Sequence, residues 1–203
     1  MKVAGLYAIT DAFCCAPEGL SRLGLALHAG VDLLQLRCKD QGPSLEYARA
    51  VVALGRSFNV PVIVNDDVEL AYAIGAGGVH LGQEDADVEV ARARLGPQAI
   101  IGASCYASLD VARDKAARGA DYLAFGSFFP SRTKPHAVRA SLSLLREAQA
   151  LHKPLVAIGG ILPENGGDLL RAGASALAVV DGIFGQKDIP SAVGAYKALF
   201  EEM

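Results

Sequence analysis

The sequence predicts an α/β fold, on three observations. Short apolar runs recur eight times along the chain, each run is followed by an amphipathic helical pattern, and the connections between them are short. Several helical patterns end in glycine just before the next run, as at Gly30, Gly75, Gly119 and Gly173, where a left-handed C-cap residue is favoured. This alternation implies parallel strands with right-handed crossovers. Eight such units predict a single-domain (β/α)8 TIM barrel over residues 1–203, and an open doubly wound sheet is the alternative.

The predicted elements follow one another without a long gap. In order, the strands are GLYAIT (5–10), LLQLR (33–37), PVIVN (61–65), GVHLG (78–82), AIIGAS (99–104), YLAFG (122–126), PLVAIGG (154–160) and ALAVVD (176–181). The helices between and after them are SRLGLALHAG, PSLEYARAVVALGRSF, DVELAYAIG, DVEVARARLG, SLDVARDKAARG, RASLSLLREAQALH, PENGGDLLRAG and SAVGAYKALFEEM.

Composition narrows the class of protein. The chain has 203 residues, 52 % hydrophobic and 20 % charged, which is typical of one compact domain. Its net charge of −3, without a run of Lys or Arg, gives no footprint for nucleic acid or for an anionic membrane surface. No apolar run reaches the roughly 18 residues of a membrane span. We therefore expect a soluble, cytoplasmic protein without a nucleic-acid or membrane partner, and a homo-oligomer is left open.

The four cysteines suggest a reducing compartment. Cys14, Cys15, Cys38 and Cys105 lack CxxC spacing, and two of them are adjacent. We expect small apolar thiols rather than a disulfide framework or a zinc site.

The stretch QLRCKD (35–40) concentrates charge on one side of a predicted strand. Gln35, Arg37 and Lys39 alternate with apolar positions and therefore share a face. In a barrel neither face of a strand reaches bulk water except at the C-terminal mouth, where active sites lie. Two cations about 6.6 Å apart on that face repel by roughly 2.5 kcal/mol at an effective dielectric of 20. A multiply charged anion between them would turn this repulsion into attraction.

Three later loops offer further groups for anions. The stretch FGSFFPSRTKPH (125–136) carries hydroxyls and Lys134, although a plain loop is the alternative. Glycines follow the seventh strand in AIGGI (157–161) and the eighth in AVVDGIF (178–184). Loops after strands 7 and 8 form the recurring phosphate site of such barrels.

Acidic groups end two neighbouring strands. Asn65 and Asp66 lie in VNDD, and Asp85 follows the fourth strand in HLGQED. These carboxylates can be salt-bridge partners of the basic residues, or they can hold Mg²⁺ together with phosphate oxygens. Two anion sites, one with metal, suit a transferase that joins two phosphorylated substrates.

At these residues the chain resembles the thiamine-phosphate synthase (thiamine-phosphate pyrophosphorylase) family. The matching stretches are LYAITD (6–11), QLRCKD, VNDDVELA (64–71), GGVHLGQEDA (77–86), GAS (102–104), GADYLAFGSFFPSRTK (119–134), PLVAIGGI (154–161) and ALAVVDGIF. The resemblance implies a Mg²⁺-dependent barrel enzyme of thiamine biosynthesis. It would join 4-amino-5-hydroxymethyl-2-methylpyrimidine diphosphate to 4-methyl-5-(2-hydroxyethyl)thiazole phosphate, release pyrophosphate, and proceed by a dissociative mechanism.

The resemblance also implies roles for individual residues. Those expected to contact the pyrimidine diphosphate are Gln35, Arg37, Lys39, Asn65, Ser104 and Lys134, of which Arg37, Lys39 and Lys134 would be catalytic. Asp66 and Asp85 would hold Mg²⁺. Those expected to cradle the thiazole phosphate are Ser131, Arg132, Thr133, Gly160, Val180 and Asp181.

Three positions depart from the family pattern. Tyr106 stands where related sequences often have His, Asp181 where they often have Ser, and Ser131 where Thr is common. A carboxylate at Asp181 would repel phosphate unless it is turned away or paired. His80 is expected to be a hydrogen-bonded core residue, with a place in the pocket floor as the alternative. A thiazole tautomerase of similar fold and a non-catalytic thiazole-phosphate-binding protein are the rival functions.

Overall fold

The computed structural model of the protein describes residues 3–38, 42–130 and 138–201. Within them eight parallel strands pair in chain order, and β8 pairs with β1 to close a barrel. The strands are β1 Gly5–Ile9, β2 Leu33–Leu36, β3 Val62–Asn65, β4 Gly78–Leu81, β5 Ile100–Tyr106, β6 Tyr122–Phe125, β7 Leu155–Ile158 and β8 Ala176–Val179. This confirms the predicted (β/α)8 barrel and excludes the open sheet.

Helices cover the outside of the barrel. They are α1 Leu20–His28, α2 Leu45–Ser57, α3 Val68–Ile74, α4 Val88–Leu95, α5 Leu109–Ala117, α6 Leu142–Ala148, α7 Pro163–Arg171, α8 Asp181–Phe184 and α9 Ile189–Glu201. Five of them begin at a side-chain cap, where the side chain accepts a hydrogen bond from a backbone N–H three residues on; these caps are Ser44, Asp67, Ser108, Ser141 and Asp188. A helix is present at each of the eight predicted places, and its ends differ from the predicted ends by a few residues.

Three of the described elements were not predicted. The short α8 begins at Asp181, which the sequence had placed at the end of the last strand. Two short 3-10 helices, Phe13–Cys15 and Pro17–Gly19, lie between β1 and α1. Gly30, Gly75, Gly119 and Gly173 all have positive φ, as their place after a helix predicted.

Strand alternation creates two apolar layers. Inward-facing residues such as Ile9, Leu33 and Ile63 form a small cluster inside the barrel. Outward-facing residues pack against the helices in a much larger cluster that includes Leu34 and Val64. Both faces of each strand are thus covered, so polar side chains on the inner face must be hydrogen-bonded or lie at the mouth.

The cysteine prediction is wrong for one pair. Cys15 and Cys38 form a disulfide with their Cα atoms 5.6 Å apart, whereas Cys14 and Cys105 are buried free thiols. The bond fastens the segment after β1 to the residue that follows Arg37. Adjacent strands in a closed barrel brought these two cysteines together, and sequence spacing alone does not reveal such a contact. Among the described helices, none is long and apolar enough to cross a membrane.

Candidate active site

The end of β2 carries the first candidate residues. Gln35 is buried on the inner face, and Arg37 lies above it, half-buried at the mouth. The backbone N–H of Arg37 donates to Thr10 Oγ1 over 2.8 Å, and that hydroxyl donates to the Arg37 carbonyl over 3.1 Å. Two bonds to Thr10, the residue that follows β1, therefore fix the point from which the guanidinium extends. Lys39 lies outside the described residues.

Arg37 is a desolvated cation with an acidic neighbour. Burial lowers the pKa of Arg37, and the charge of Asp66 partly offsets that effect. Since an arginine remains protonated in proteins, the guanidinium keeps its charge. A partly dehydrated cation at a barrel mouth attracts an anion more strongly than one in bulk water.

Asp66 follows β3 in a left-handed backbone conformation, with φ of 65°. Asp tolerates this region better than most residues, and non-glycine residues there often mark functional sites. Its backbone N–H donates to the His80 carbonyl over 2.8 Å, and Asn65 Nδ2 donates to Asp66 Oδ2 over 2.5 Å. The unusual φ thus turns the carboxylate at the end of β3 towards the residues that follow β4.

Asp85 meets Asp66 at this point. The Gly82 N–H donates to Asp85 Oδ2 over 2.5 Å, which anchors the loop after β4. The pKa of Asp66 is raised to about 6, first by burial and then by the hydrogen bond and charge of Asp85, against the opposing effects of Asn65 and Arg37. Two carboxylates in contact share a proton or attract a cation, because both cannot be charged there at low cost.

The donor set at this pair fits Mg²⁺. Mg²⁺ is typically bound by one or two carboxylates, with substrate phosphates and water as the other ligands. In the ranges that the structure covers, no group of three or more His, Cys, Asp or Glu side chains is assembled to hold a metal. A pair of carboxylates without a complete protein cage is the arrangement expected when the substrate supplies the remaining oxygens.

A row of polar side chains forms the floor beneath these charges. His80 Nε2 lies 2.9 Å from Ser104 Oγ, and His80 Nδ1 lies 2.9 Å from the Tyr122 hydroxyl. That hydroxyl is 3.0 Å from the Tyr7 hydroxyl, which accepts a hydrogen bond of 2.9 Å from Gln35 Nε2. His80 is therefore hydrogen-bonded inside the barrel, as predicted, and it also contacts a candidate ligand residue.

Sequence reasoning missed Tyr7 and Tyr122. Both are almost fully buried, and both project into the barrel from strands that were correctly predicted. The sequence could have indicated both tyrosines, because they occupy inward positions of the strands and a buried tyrosine hydroxyl needs a hydrogen-bond partner. Gly102 gives Tyr122 its space, since a Cβ there would overlap the tyrosine ring.

On the side of the mouth opposite Arg37 and Asp66, the site is formed by backbone groups of the loops after β6 and β7. Gly159 and Gly160, after β7, have φ of 105° and 63°. The Phe129 N–H donates to the Gly159 carbonyl over 3.0 Å, and a Cβ on Gly160 would overlap the Pro130 carbonyl. Glycine is thus required where the loop after β7 meets the loop after β6. The candidate residues Ser131, Arg132, Thr133 and Lys134 continue that loop and lie outside the described residues.

Val180 and Asp181 complete the predicted thiazole-phosphate set. Val180 packs against the inner apolar cluster and precedes α8. Asp181 is the first residue of α8, and its side chain is exposed. Exposure lowers the cost of a carboxylate near a phosphate, because solvent screens the repulsion.

Tyr106 ends β5 beside a register shift in the pairing with β6. It has φ of 52°, and its side chain is exposed with the hydroxyl 3.4 Å from the Gln83 N–H that donates to it. The phenol thus lies above the loop after β4 and takes no part in the hydrogen bonds that join His80 to Ser104.

The parallel barrel is closed, and its C-terminal mouth has a desolvated cation, a carboxylate pair and a polar floor. These features define a class of proteins, the barrel enzymes that act on anionic small molecules. Comparison with known proteins narrows this class. The family model for thiamine monophosphate synthase matches residues 6–183. The chain therefore belongs to the thiamine monophosphate synthase family.

Individual relatives agree with this assignment. The chain is 47 % identical to a thiamine-phosphate synthase of Nitrosococcus oceani, with 98 % of this chain and 94 % of the relative covered. It is 50 % identical to one of Saccharophagus degradans, over 91 % of this chain and 87 % of that relative. The structure of thiamine phosphate pyrophosphorylase from Pyrococcus furiosus superimposes with a TM-score of 0.86 at 35 % identity, covering 98 % of this chain and 96 % of that one. The activity is that of a thiamine-phosphate synthase, a transferase of thiamine biosynthesis.

Proposed function

We propose that the mouth of the barrel condenses 4-amino-5-hydroxymethyl-2-methylpyrimidine diphosphate with 4-methyl-5-(2-hydroxyethyl)thiazole phosphate, with Mg²⁺ at Asp66 and Asp85. The observation that carries this proposal is the contact of the two carboxylates beside the half-buried Arg37. A cation and a metal-binding pair on adjacent strand ends match the needs of a diphosphate leaving group.

The pyrimidine diphosphate is assigned to the side of the mouth formed by β2 to β5. Gln35 and Ser104 lie at the floor and would contact the pyrimidine, whereas Arg37 and Asn65 lie at the rim and would contact the diphosphate. Lys39 and Lys134 are assigned to the same diphosphate by family resemblance. The thiazole phosphate is assigned to the side formed by Gly160, Val180 and Asp181, together with Ser131, Arg132 and Thr133.

The reaction is then a substitution at the pyrimidine methylene carbon. The bond between this carbon and the diphosphate oxygen breaks with its electron pair leaving on oxygen, and the thiazole nitrogen supplies the pair for the new C–N bond. No strong general base is needed, so the main task of the protein is to stabilise the growing negative charge. Arg37 does so by fixed electrostatics in a partly dehydrated site. Bound Mg²⁺ would supply further positive charge to the departing diphosphate.

The rival thiazole tautomerase would need a base suited to proton transfer. At the position where an imidazole is expected for that role, the chain has the exposed phenol of Tyr106, hydrogen-bonded to the Gln83 N–H. A phenol accepts a proton much less readily than an imidazole at neutral pH. These features support the synthase over the isomerase.

The metal role is tested by the double variant Asp66→Ala, Asp85→Ala. We expect calorimetric binding of pyrimidine diphosphate to lose its Mg²⁺ dependence, with turnover reduced on the order of a hundredfold or more. Asp110→Ala is a matched control, because it removes an exposed carboxylate that pairs with Arg113 on the outside of the barrel. If the double variant retained Mg²⁺-dependent binding and turnover, the assignment of the metal to these carboxylates would be wrong.

A further inference from the structure

Five hydrogen-bonded side chains cross the interior of the barrel. They are Gln35, Tyr7, Tyr122, His80 and Ser104, which we call the cross-barrel network; its four contacts measure between 2.9 and 3.0 Å. The His80 ring is also stacked on the Tyr122 ring, with centroids 5.6 Å apart and planes inclined by 14°. Tyr7 and Tyr122 are no more than 1 % exposed, so water does not replace the three bonds that they form.

Donors and acceptors in the network point in one direction. Gln35 Nε2 can only donate, so the Tyr7 hydroxyl accepts from it and has its own hydrogen left for Tyr122. The Tyr122 hydroxyl then donates to His80 Nδ1. A neutral imidazole that accepts at Nδ1 carries its hydrogen on Nε2, and this nitrogen donates to Ser104 Oγ. The Ser104 hydroxyl thereby keeps its own hydrogen for an acceptor in the mouth.

The direction is a property of the whole network. Reversing one bond alone would leave two hydrogens facing each other or a buried acceptor without a donor, and such groups are costly to bury. The four bonds therefore reverse together, and that reversal requires the Gln35 amide to exchange the positions of its oxygen and nitrogen. Burial raises the pKa of both Tyr7 and Tyr122, so their hydroxyl hydrogens are retained across the neutral range.

This direction determines which hydrogen-bonding edge Gln35 presents to a ligand. With Nε2 held by Tyr7, the amide offers its oxygen as an acceptor and its second N–H as a donor. A 4-aminopyrimidine has the complementary pattern, an exocyclic N–H donor beside a ring-nitrogen acceptor. A 4-oxopyrimidine has the opposite pattern, with a carbonyl acceptor beside an N–H donor, and would require the amide to be turned.

We propose that the cross-barrel network is a positioning device that holds the Gln35 amide and the Ser104 hydroxyl in one hydrogen-bonding state, so that the site selects a 4-aminopyrimidine over its 4-oxo analogue. Tyr7, Tyr122 and His80 act through Gln35 and Ser104 and are positioning residues. The inference rests on the proposed function, since it takes Gln35 as the residue that contacts the pyrimidine.

The first test needs no substrate. In protein labelled with 15N-histidine, and with the His80 signals assigned by their loss in His80→Gln, we expect His80 Nδ1 to give an unprotonated, pyridine-type resonance and Nε2 a protonated one. Replacing Tyr122 by Phe removes the donor to Nδ1, so the Nδ1–H tautomer should become populated. A His80 that carries its hydrogen on Nδ1 in the wild-type protein would overturn the proposed direction.

The second test compares binding of the 4-amino pyrimidine diphosphate and its 4-oxo analogue by calorimetry. We expect the wild-type protein to prefer the amino form by at least about a hundredfold. In Tyr7→Phe the amide can turn without reversing the other bonds, and this preference should fall on the order of tenfold. Tyr47→Phe is a matched control, because it removes a buried hydroxyl that donates to the Cys14 carbonyl outside the network; its preference should equal that of the wild type.

The two tests separate failure of this inference from failure of the proposed function. An unchanged preference in a folded Tyr7→Phe variant, or the wrong His80 tautomer, would refute the positioning role even in an active synthase. Conversely, the predicted tautomer and amino preference in a protein that forms no thiamine phosphate would support the network and refute the proposed reaction.

Discussion

Asp66 is the residue at which backbone conformation, burial and charge act together. Its φ is positive, its carboxylate contacts Asp85, and its pKa is raised to about 6, mainly by burial. The sequence predicted its identity as a candidate ligand from its place after β3. Its proximity to Asp85 follows from the pairing of β3 with β4, which the order of the strands predicts, whereas no local pattern indicates its left-handed conformation.

The raised pKa of Asp66 predicts a pH-dependent stability in the absence of divalent cations. In the unfolded chain the group titrates near its ordinary value of about 3.9. Between about pH 4 and pH 6 the folded state therefore binds more protons than the unfolded state, so the free energy of unfolding decreases as pH rises through this window. The Asp66→Asn variant lacks this titrating group. The free energy of unfolding of the variant, relative to that of the wild type, should therefore increase from pH 4 to pH 6 and stay constant above pH 6. Urea unfolding with a chelator present measures this difference, and a difference independent of pH would refute the assigned shift.

Within the described residues, the positively charged side chain of Arg37 is assigned to bind the diphosphate. Replacing it by Ala should lower kcat about a hundredfold, by analogy with loss of one oxyanion donor, while Lys should restore part of the rate because it retains the charge. Steady-state release of pyrophosphate measures the effect. Arg113→Ala, which breaks an exposed ion pair on α5, is the control and should leave the rate unchanged. Wild-type turnover in Arg37→Ala would exclude it from the reaction.

At the scale of elements, the strands and helices were predicted well because their signals are local. Period-two alternation identified β2 and the inward position of Gln35, and glycines such as Gly75 indicated helix ends. The contacts of Tyr7 with Tyr122 and of Cys15 with Cys38 were not predicted, because each joins segments distant in sequence. Only closure of the barrel determines which side chains meet across its interior.

Hydrogen bonds that join α4, β5 and β6 lie at the N-terminal end of the strands, where we expect residues to contribute to stability; the candidate site lies at the C-terminal end. Asp121, at the start of β6, accepts from Arg92 Nη2 over 2.6 Å and from the Ile101 N–H over 2.7 Å. Asp121→Ala should lower the free energy of unfolding by about 1–3 kcal/mol, because it leaves both donors without this partner. Since this residue lies at the N-terminal end of the strands, kcat at a temperature where the protein is folded should not change.

Asp110→Ala provides the comparison for Asp121. Asp110 pairs with Arg113 at the surface, and its removal should cost less than about 1 kcal/mol. Denaturant titration of both variants, with activity measured alongside, checks the prediction. Equal stabilities for the two variants would show that the contacts of Asp121 contribute no more than a surface pair.

At the scale of the whole molecule, the barrel brings the candidate residues to one end. The candidate residues on neighbouring strands lie near or just after the carboxyl ends of β2 to β5, whereas Gly160 and Val180 lie across the mouth; the former are Gln35, Asn65, Asp66, Asp85 and Ser104. Order along the chain was sufficient to predict this grouping once eight β–α units had been recognised. The residues Lys39, Ser131, Arg132, Thr133 and Lys134 lie outside the described ranges, and their roles stay predictions.

The condensation reaction with purified protein tests the central claim most directly. Supplied with Mg²⁺, 4-amino-5-hydroxymethyl-2-methylpyrimidine diphosphate and 4-methyl-5-(2-hydroxyethyl)thiazole phosphate, the protein should form thiamine phosphate and one equivalent of pyrophosphate. Both products are quantified over a series of Mg²⁺ concentrations, with the Asp66→Ala, Asp85→Ala variant in parallel. Absence of thiamine phosphate at every Mg²⁺ concentration, with isomerisation of a carboxythiazole phosphate instead, would contradict the account and identify a tautomerase.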